Sequence, residues 1–162
     1  MSYRIGQGYD VHQLTSGQPF IIGGVKIPSS KGIVAHSDGD ILIHAIIDSL
    51  LGACNLGDLG THFPANNDWK NASGLYMLEF INALILKQYP YFTILNIDST
   101  IILETPKISP YINDMKLNIS NILDINITSI SIKATTTDKL GPIGLEQGIA
   151  TKSICLIQLN KI

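Results

Sequence analysis

The sequence predicts an α/β fold: a mixed sheet of about four main strands with helices packed on one face, plus a small N-terminal hairpin. Three observations carry this. Strand-like apolar runs occupy 2–11, 91–104, 127–135 and 149–159. Between them lie apolar stretches too long for strands, near 41–53, 74–88 and 109–123, with capping residues ahead of them. The order β-β-α-α-β-α-β-β shows no internal repeat, linker or low-complexity segment, so one domain over residues 1–162 is expected.

The first strand runs into Asp10-Val11-His12, where strand alternation points Asp10 and His12 to the same side. Phe20–Ile22 and Val25–Ile27 flank Gly23-Gly24 and read as a hairpin with a two-glycine turn. Pro28–Val34 is expected to be a connection. The stretch AHSDGDILIHAIIDSLLGA, residues 35–53, then predicts a central helix buried along much of its surface. Ser37 is the expected N-cap, and Asp40 three residues later returns the bond in a capping-box variant. Asp40, His44 and Asp48 fall at i, i+4 and i+8 and share a face. His36 stands just before the helix, where backbone N–H groups and the helix dipole favour an anion. A mostly buried helix with a row of ionisable groups points to chemistry.

Residues 54–72 form a long irregular stretch holding Gly57-Asp58-Leu59-Gly60 and Phe63-Pro64. A loop of that length inside a compact domain is usually functional or mobile. A second helix is expected over 74–88, capped by Asn71 or Ser73, with packing residues and no assigned chemistry. The run 91–104 is β-rich, with a break or bulge expected near Asp98. Ser109-Pro110 has N-cap and N1 chemistry for a third helix extending to about Leu123. Ile127–Thr135 is the next strand, and Thr135-Thr136-Thr137-Asp138-Lys139 closes it. Gly141–Gly144 leads into the last strand, about Ile149–Leu159.

Composition narrows the function classes. The chain is 45% hydrophobic, 15% charged and carries a formal net charge of −2, which gives no electrostatic case for nucleic acid or an anionic membrane. Any phosphate recognition is therefore local. No apolar run approaches the roughly 20 residues that span a bilayer, and no leader segment is evident before the first motif. Cys54 and Cys155 sit in apolar runs without ligand-like spacing and read as reduced core thiols, so a cytoplasmic protein is expected.

All four histidines lie within the first 62 residues. Two histidines and a carboxylate are the ligand set of many catalytic zinc sites that keep a fourth position open. Asp10, His12 and His44 supply that set if the first strand packs beside the central helix, leaving His36 close by. Imidazole suits zinc, whereas magnesium prefers all-oxygen shells. An isolated Asp-x-His also reads as a turn aspartate and a surface histidine. At the other end, the hydroxyls and amides of Thr135–Thr137 can line a phosphate, with Asp138 beside them for a hard cation. The same run also reads as an ordinary β-branched strand terminus.

GYDVH at 8–12, IIGGVKIP at 21–28, AHSDGD at 35–40 with His44, LLGACNLGDLGTHFP at 50–64, Pro106-Lys107 and KATTTDKLG at 133–141 together resemble the 2-C-methyl-D-erythritol 2,4-cyclodiphosphate synthase family over nearly the whole chain. The resemblance implies a lyase of the non-mevalonate isoprenoid pathway. Its substrate is 4-diphosphocytidyl-2-C-methyl-D-erythritol 2-phosphate, whose 2-phosphate displaces CMP to close a cyclic diphosphate. It implies zinc on Asp10, His12 and His44, and magnesium or manganese with the diphosphate at Asp138. It implies transition-state stabilisation by His36 and Thr136. Substrate contacts are implied for Asp10, His12, His36, Ser37, Asp58, Leu59, Gly60, Phe63 and Asn67. The cytidine-diphosphate side is implied to use the run from Leu103 through Glu104, Thr105, Pro106, Lys107 and Ile108 to Ser109, with Ala134, Thr135, Thr136, Thr137 and Asp138. A homotrimer with active sites between subunits is implied as well.

Some positions depart from the family's pattern: Asp138 stands where glutamate is usual, Ala65 where aspartate is usual, and Pro142 and Leu145 replace an aromatic residue and an arginine. Two rival functions share the same residues. A zinc phosphohydrolase would release inorganic phosphate, and a non-catalytic nucleotide-binding trimeric module would show no turnover.

Overall fold

The computed structural model describes residues 2–159. Among these residues the main sheet has five strands, in the order β4-β1-β7-β5-β6, and β2 and β3 form a separate hairpin. Strand β1 (Ser2–Ser16) pairs antiparallel with β7 (Gly148–Leu159) along nearly its whole length, and β7 pairs antiparallel with β5 (Phe92–Ile102). Strand β6 (Ile130–Thr135) joins β5 in parallel, which needs a crossover, here supplied by α4 (Ile112–Leu123). The fifth strand corrects the expected four. β4 (Lys31–Ile33) lies in the segment expected to be a connection, and its three residues carry too little alternation to announce an edge strand.

Helix α1 (Ile41–Cys54) lies on one face of this sheet, and only Asp48 and Gly52 among its 14 residues escape full burial. Glycine makes the approach possible. A Cβ at Gly6 would sit 1.7 Å from the Ser49 carbonyl oxygen, and one at Gly8 would sit 1.9 Å from that of Ala45. Helix α3 (Gly74–Gln88) spans the expected residues and buries Met77, Leu78, Ile81 and Ile85. Residues of the same parity as Gly6 and Gly8 face α1, so Asp10 and His12 point toward it. Tyr3, Ile5, Tyr9 and Val11 take the opposite face and are exposed, as is Ile154 on β7.

Several local expectations are corrected. The N-cap of α1 is Asp40, not Ser37, and its carboxylate accepts from the Ile43 amide. That same carboxylate accepts from the Gly23 and Gly24 amides at 2.8 and 2.6 Å, inside the turn between β2 (Ile21–Ile22) and β3 (Val25–Lys26). Both glycines have positive φ, as a two-residue hairpin turn requires. Ser73 caps α3 without a side-chain bond, and Asp38 accepts from the Gly74 amide instead. The irregularity in β5 falls between Ile94 and Asn96 rather than near Asp98. Asp98 keeps regular pairing with Ile154 and Ser131, and its side chain meets Lys133 on β6. Ser109–Tyr111 forms a 3₁₀ turn ahead of α4, so Ser109 is not its cap, and Ile127–Ser129 forms another ahead of β6. No helix among the described residues is long and apolar enough to cross a membrane.

Candidate active site

The parity of β1 and the seating of α1 bring Asp10, His12 and His44 together, with ligand atoms within 4.8 Å of one another. Asp10 Oδ2 lies 3.0 Å from His12 Nε2 and 3.0 Å from His44 Nδ1. The Val34 carbonyl, 3.0 Å from His12 Nδ1, can only accept, so Nδ1 carries the proton and the neutral ring turns its Nε2 lone pair toward the carboxylate. Two acceptors meeting at that distance call for a cation between them, either a proton or a metal ion. Burial alone would raise the Asp10 carboxyl, but its bonds to His12 and His44 and their charge hold it well below the usual carboxylate range. Burial works against a charged His12, yet Asp10 outweighs it and raises the imidazole above its ordinary value. Three converging donors with a carbonyl behind one imidazole fit a metal centre with an open position.

The open side is a cavity of about 220 Å³, lined by these three residues together with Ala35, His36, Ser37, Leu59, Phe63, Ala65, Trp69 and Met77. His36 is exposed at its rim, and Ser37 Oγ lies 3.3 Å from His44 Nε2. Of the row on α1, only His44 joins this cluster. Asp40 is consumed by capping, and Asp48 accepts from the Leu59 amide at 2.7 Å. Leu59 opens the short helix α2 (Leu59–His62), capped by Asp58, whose carboxylate accepts from the Thr61 amide and hydroxyl. Asp58 and Gly60 are exposed beside the cavity-lining Leu59, whereas Asn67 sits in a 3₁₀ turn outside the lining. Phe63 and Trp69 stack edge to face with centroids 4.6 Å apart. Trp69, Met77 and Ala35 were missed in the sequence. A lone tryptophan in a polar loop was the available signal for the first.

A second cavity, about 150 Å³, is lined by Leu103, Glu104, Pro106, Lys107, Ile108, Ser109, Ala134, Thr135 and Thr136. Thr105, Thr137 and Asp138 stand outside that lining. Glu104 lies within the run the resemblance implies, and the structure gives it a definite task. Its Oε1 accepts from the amides of Thr137 and Lys139, so it holds the turn in which Asp138 and Lys139 have positive φ. Asp138 lies 3.4 Å from the Thr136 hydroxyl. The register places the two cavities relative to each other. Val11 is level with Ala150, Ala150 with Ile102, and Ile102 with Thr135. Three interstrand spacings, roughly 14 Å, therefore separate the triad strand from the threonine strand.

This arrangement has close relatives. A 2-C-methyl-D-erythritol 2,4-cyclodiphosphate synthase of Clostridium kluyveri (strain NBRC 12016) is 52% identical over 158 residues, covering 97% of this chain and 95% of its own. The enzyme of that name from Clostridioides difficile (strain 630) is 53% identical over 158 residues, 97% of each chain. Among solved structures, an IspF of Plasmodium falciparum in complex with CDP superposes with a TM-score of 0.85 at 37% identity, covering 99% of this chain and 98% of that one. The bifunctional IspDF of Campylobacter jejuni gives a TM-score of 0.92 at 35% identity, and the match covers 99% of this chain and 43% of that longer one. Residues 3–158, which hold the triad, both cavities and nearly all of the main sheet, match the YgbB family, and the chain belongs to it.

Proposed function

We propose that the chain catalyses the reaction its curated relatives are named for, the formation of 2-C-methyl-D-erythritol 2,4-cyclodiphosphate. It is a phosphorus–oxygen lyase of isoprenoid biosynthesis by the non-mevalonate pathway. The substrate is 4-diphosphocytidyl-2-C-methyl-D-erythritol 2-phosphate. An oxygen of its 2-phosphate bonds to the β-phosphorus, the bond from that phosphorus to the bridging oxygen breaks, and CMP leaves with that oxygen. The observation that carries this reading is the convergence of Asp10, His12 and His44 on one cavity beside His36. Such transfer is chiefly positioning and charge stabilisation, which is what these residues offer.

Asp10, His12 and His44 would hold zinc, and their two imidazoles favour it over magnesium. Bound there, zinc supplies Lewis-acid polarisation of a phosphate oxygen. His36 donates to the phosphate oxygens as charge develops on them, and Thr136 does so from the other side. Leu59, with Asp58 and Gly60 beside it, orients the erythritol part. Pro106–Ser109 and Ala134–Thr136 hold the cytidine diphosphate, and Asp138 would hold magnesium or manganese with it. The roughly 14 Å between the triad strand and Thr135 is too far for one chain to grip one diphosphate from both sides. We therefore assign the threonines of each site to a neighbouring copy in a homotrimer, assembled through the apolar face of Tyr3, Ile5, Tyr9, Val11 and Ile154. The buried free thiols Cys54 and Cys155 suit a reducing cytoplasm.

Phosphorus NMR of the substrate with protein, zinc and magnesium tests the reaction. Cyclic diphosphate and CMP without inorganic phosphate are expected. Release of inorganic phosphate would assign a phosphohydrolase, and unchanged substrate a non-catalytic nucleotide-binding module.

A further inference from the structure

Asp48 is one of two residues of α1 that are not fully buried, and it lies one helical turn beyond His44. Its Oδ1 accepts from the Leu59 amide at 2.7 Å. Beyond that bond, the segment it reaches is held by the packing of Leu56 and Leu59 against the core. Helix α2 is four residues long, and a helix so short does not persist without outside contacts. Asp58 is spent on Thr61 within the same segment, and His62 on the Leu56 carbonyl three residues before Leu59. We propose that Asp48 is a positioning residue, whose carboxylate holds the Asp58–Gly60 segment against the metal cavity so that one helix sets both a metal ligand and the substrate loop.

The electrostatics point the same way. Burial raises the Asp48 carboxyl, and the neighbouring Asp58 and Asp10 carboxylates add to the rise, against the Leu59 amide and His44. The hydrogen bond from the Leu59 amide offsets part of that cost. The geometry also separates two roles, because accepting from Leu59 requires an oxygen at that position but no charge. Asparagine supplies that oxygen and alanine does not.

This inference rests on the cyclase reading, so wild-type turnover by phosphorus NMR is the control for that reading. The test for Asp48 adds a readout that needs no activity. Hydrogen exchange at the Leu59 amide is followed by NMR in Asp48→Ala and Asp48→Asn, with zinc content, CDP titration and steady-state kinetics beside it. Asp48→Ala is expected to lose protection at Leu59 and to raise KM by about tenfold, with zinc content and CDP affinity near wild type. Asp48→Asn is expected to keep both protection and KM within about threefold. Protection and KM unchanged in Asp48→Ala would overturn the proposal. Equal damage in both variants would also overturn it, since charge rather than the hydrogen bond would then matter. If Asp48→Ala does not fold, Asp48→Ser, whose hydroxyl is too short to replace the carboxylate reach, takes its place under the same criteria.

Discussion

His12 has its two ring nitrogens assigned by their surroundings. The Val34 carbonyl holds Nδ1–H, so the proton that competes with a metal ion sits at Nε2, facing Asp10. Because Asp10 raises the His12 imidazole above its ordinary value while its own carboxyl stays ionised, a metal must displace that proton. Zinc affinity is therefore expected to rise by about tenfold or more per pH unit until the pH passes the raised His12 value, then to level off. Chelator competition across a pH series measures this, and a flat profile would contradict it. His44→Ala should lose zinc and turnover together, because two ligands hold a catalytic ion poorly. His36→Ala should keep zinc and lose about a hundredfold in kcat, the scale of one lost charge-stabilising donor. Metal analysis beside kinetics distinguishes the two.

Two elements depend on single polar groups. Asp40 joins α1 to the β2–β3 turn by taking three backbone amides on one fully buried carboxylate. Asp40→Ala strands those donors and removes the cap, and should cost about 3 kcal/mol or more of folding stability. Denaturant unfolding checks it. In the sheet, the Thr151 hydroxyl on β7 is buried with no hydrogen-bond partner among the described residues, although its strand position lies directly across from Asp10. Thr151→Val keeps the shape and removes the orphaned group, so it should stabilise the fold by about 1 kcal/mol. A loss of stability or of zinc in that variant would instead show that the hydroxyl is used.

At the scale of the whole molecule, the proposed division of each site between copies has a sharp consequence. His44→Ala and Thr136→Ala are each expected to be inactive alone. Mixed by co-refolding, they form some sites with an intact triad from one chain and an intact Thr136 from its neighbour. Random assembly in equal amounts should restore about one quarter of wild-type activity, the chance that both halves of a site are intact. No recovery, in mixtures shown by native mass spectrometry to contain both chains, would place the whole site within one subunit.

Patterns local in the chain were enough for much of this. The apolar spacing set α3 at its observed residues, and the two-glycine turn marked the β2–β3 hairpin. The grouping of Asp10, His12 and His44 was legible because strand and helix periodicity put each on a definite face, and their convergence needed only that β1 and α1 touch. What escaped the sequence depends on partners distant in the chain. β4 is a strand because β1 offers it an edge, not because three residues alternate. Asp40 and Asp48 share a helix face with His44, yet one is drawn to the hairpin amides and the other to Leu59. The separation of the two cavities follows from the order of strands across the sheet. Periodicity and capping are written within a few residues of one another, whereas pairing, burial and the satisfaction of buried polar groups are decided only when remote segments meet.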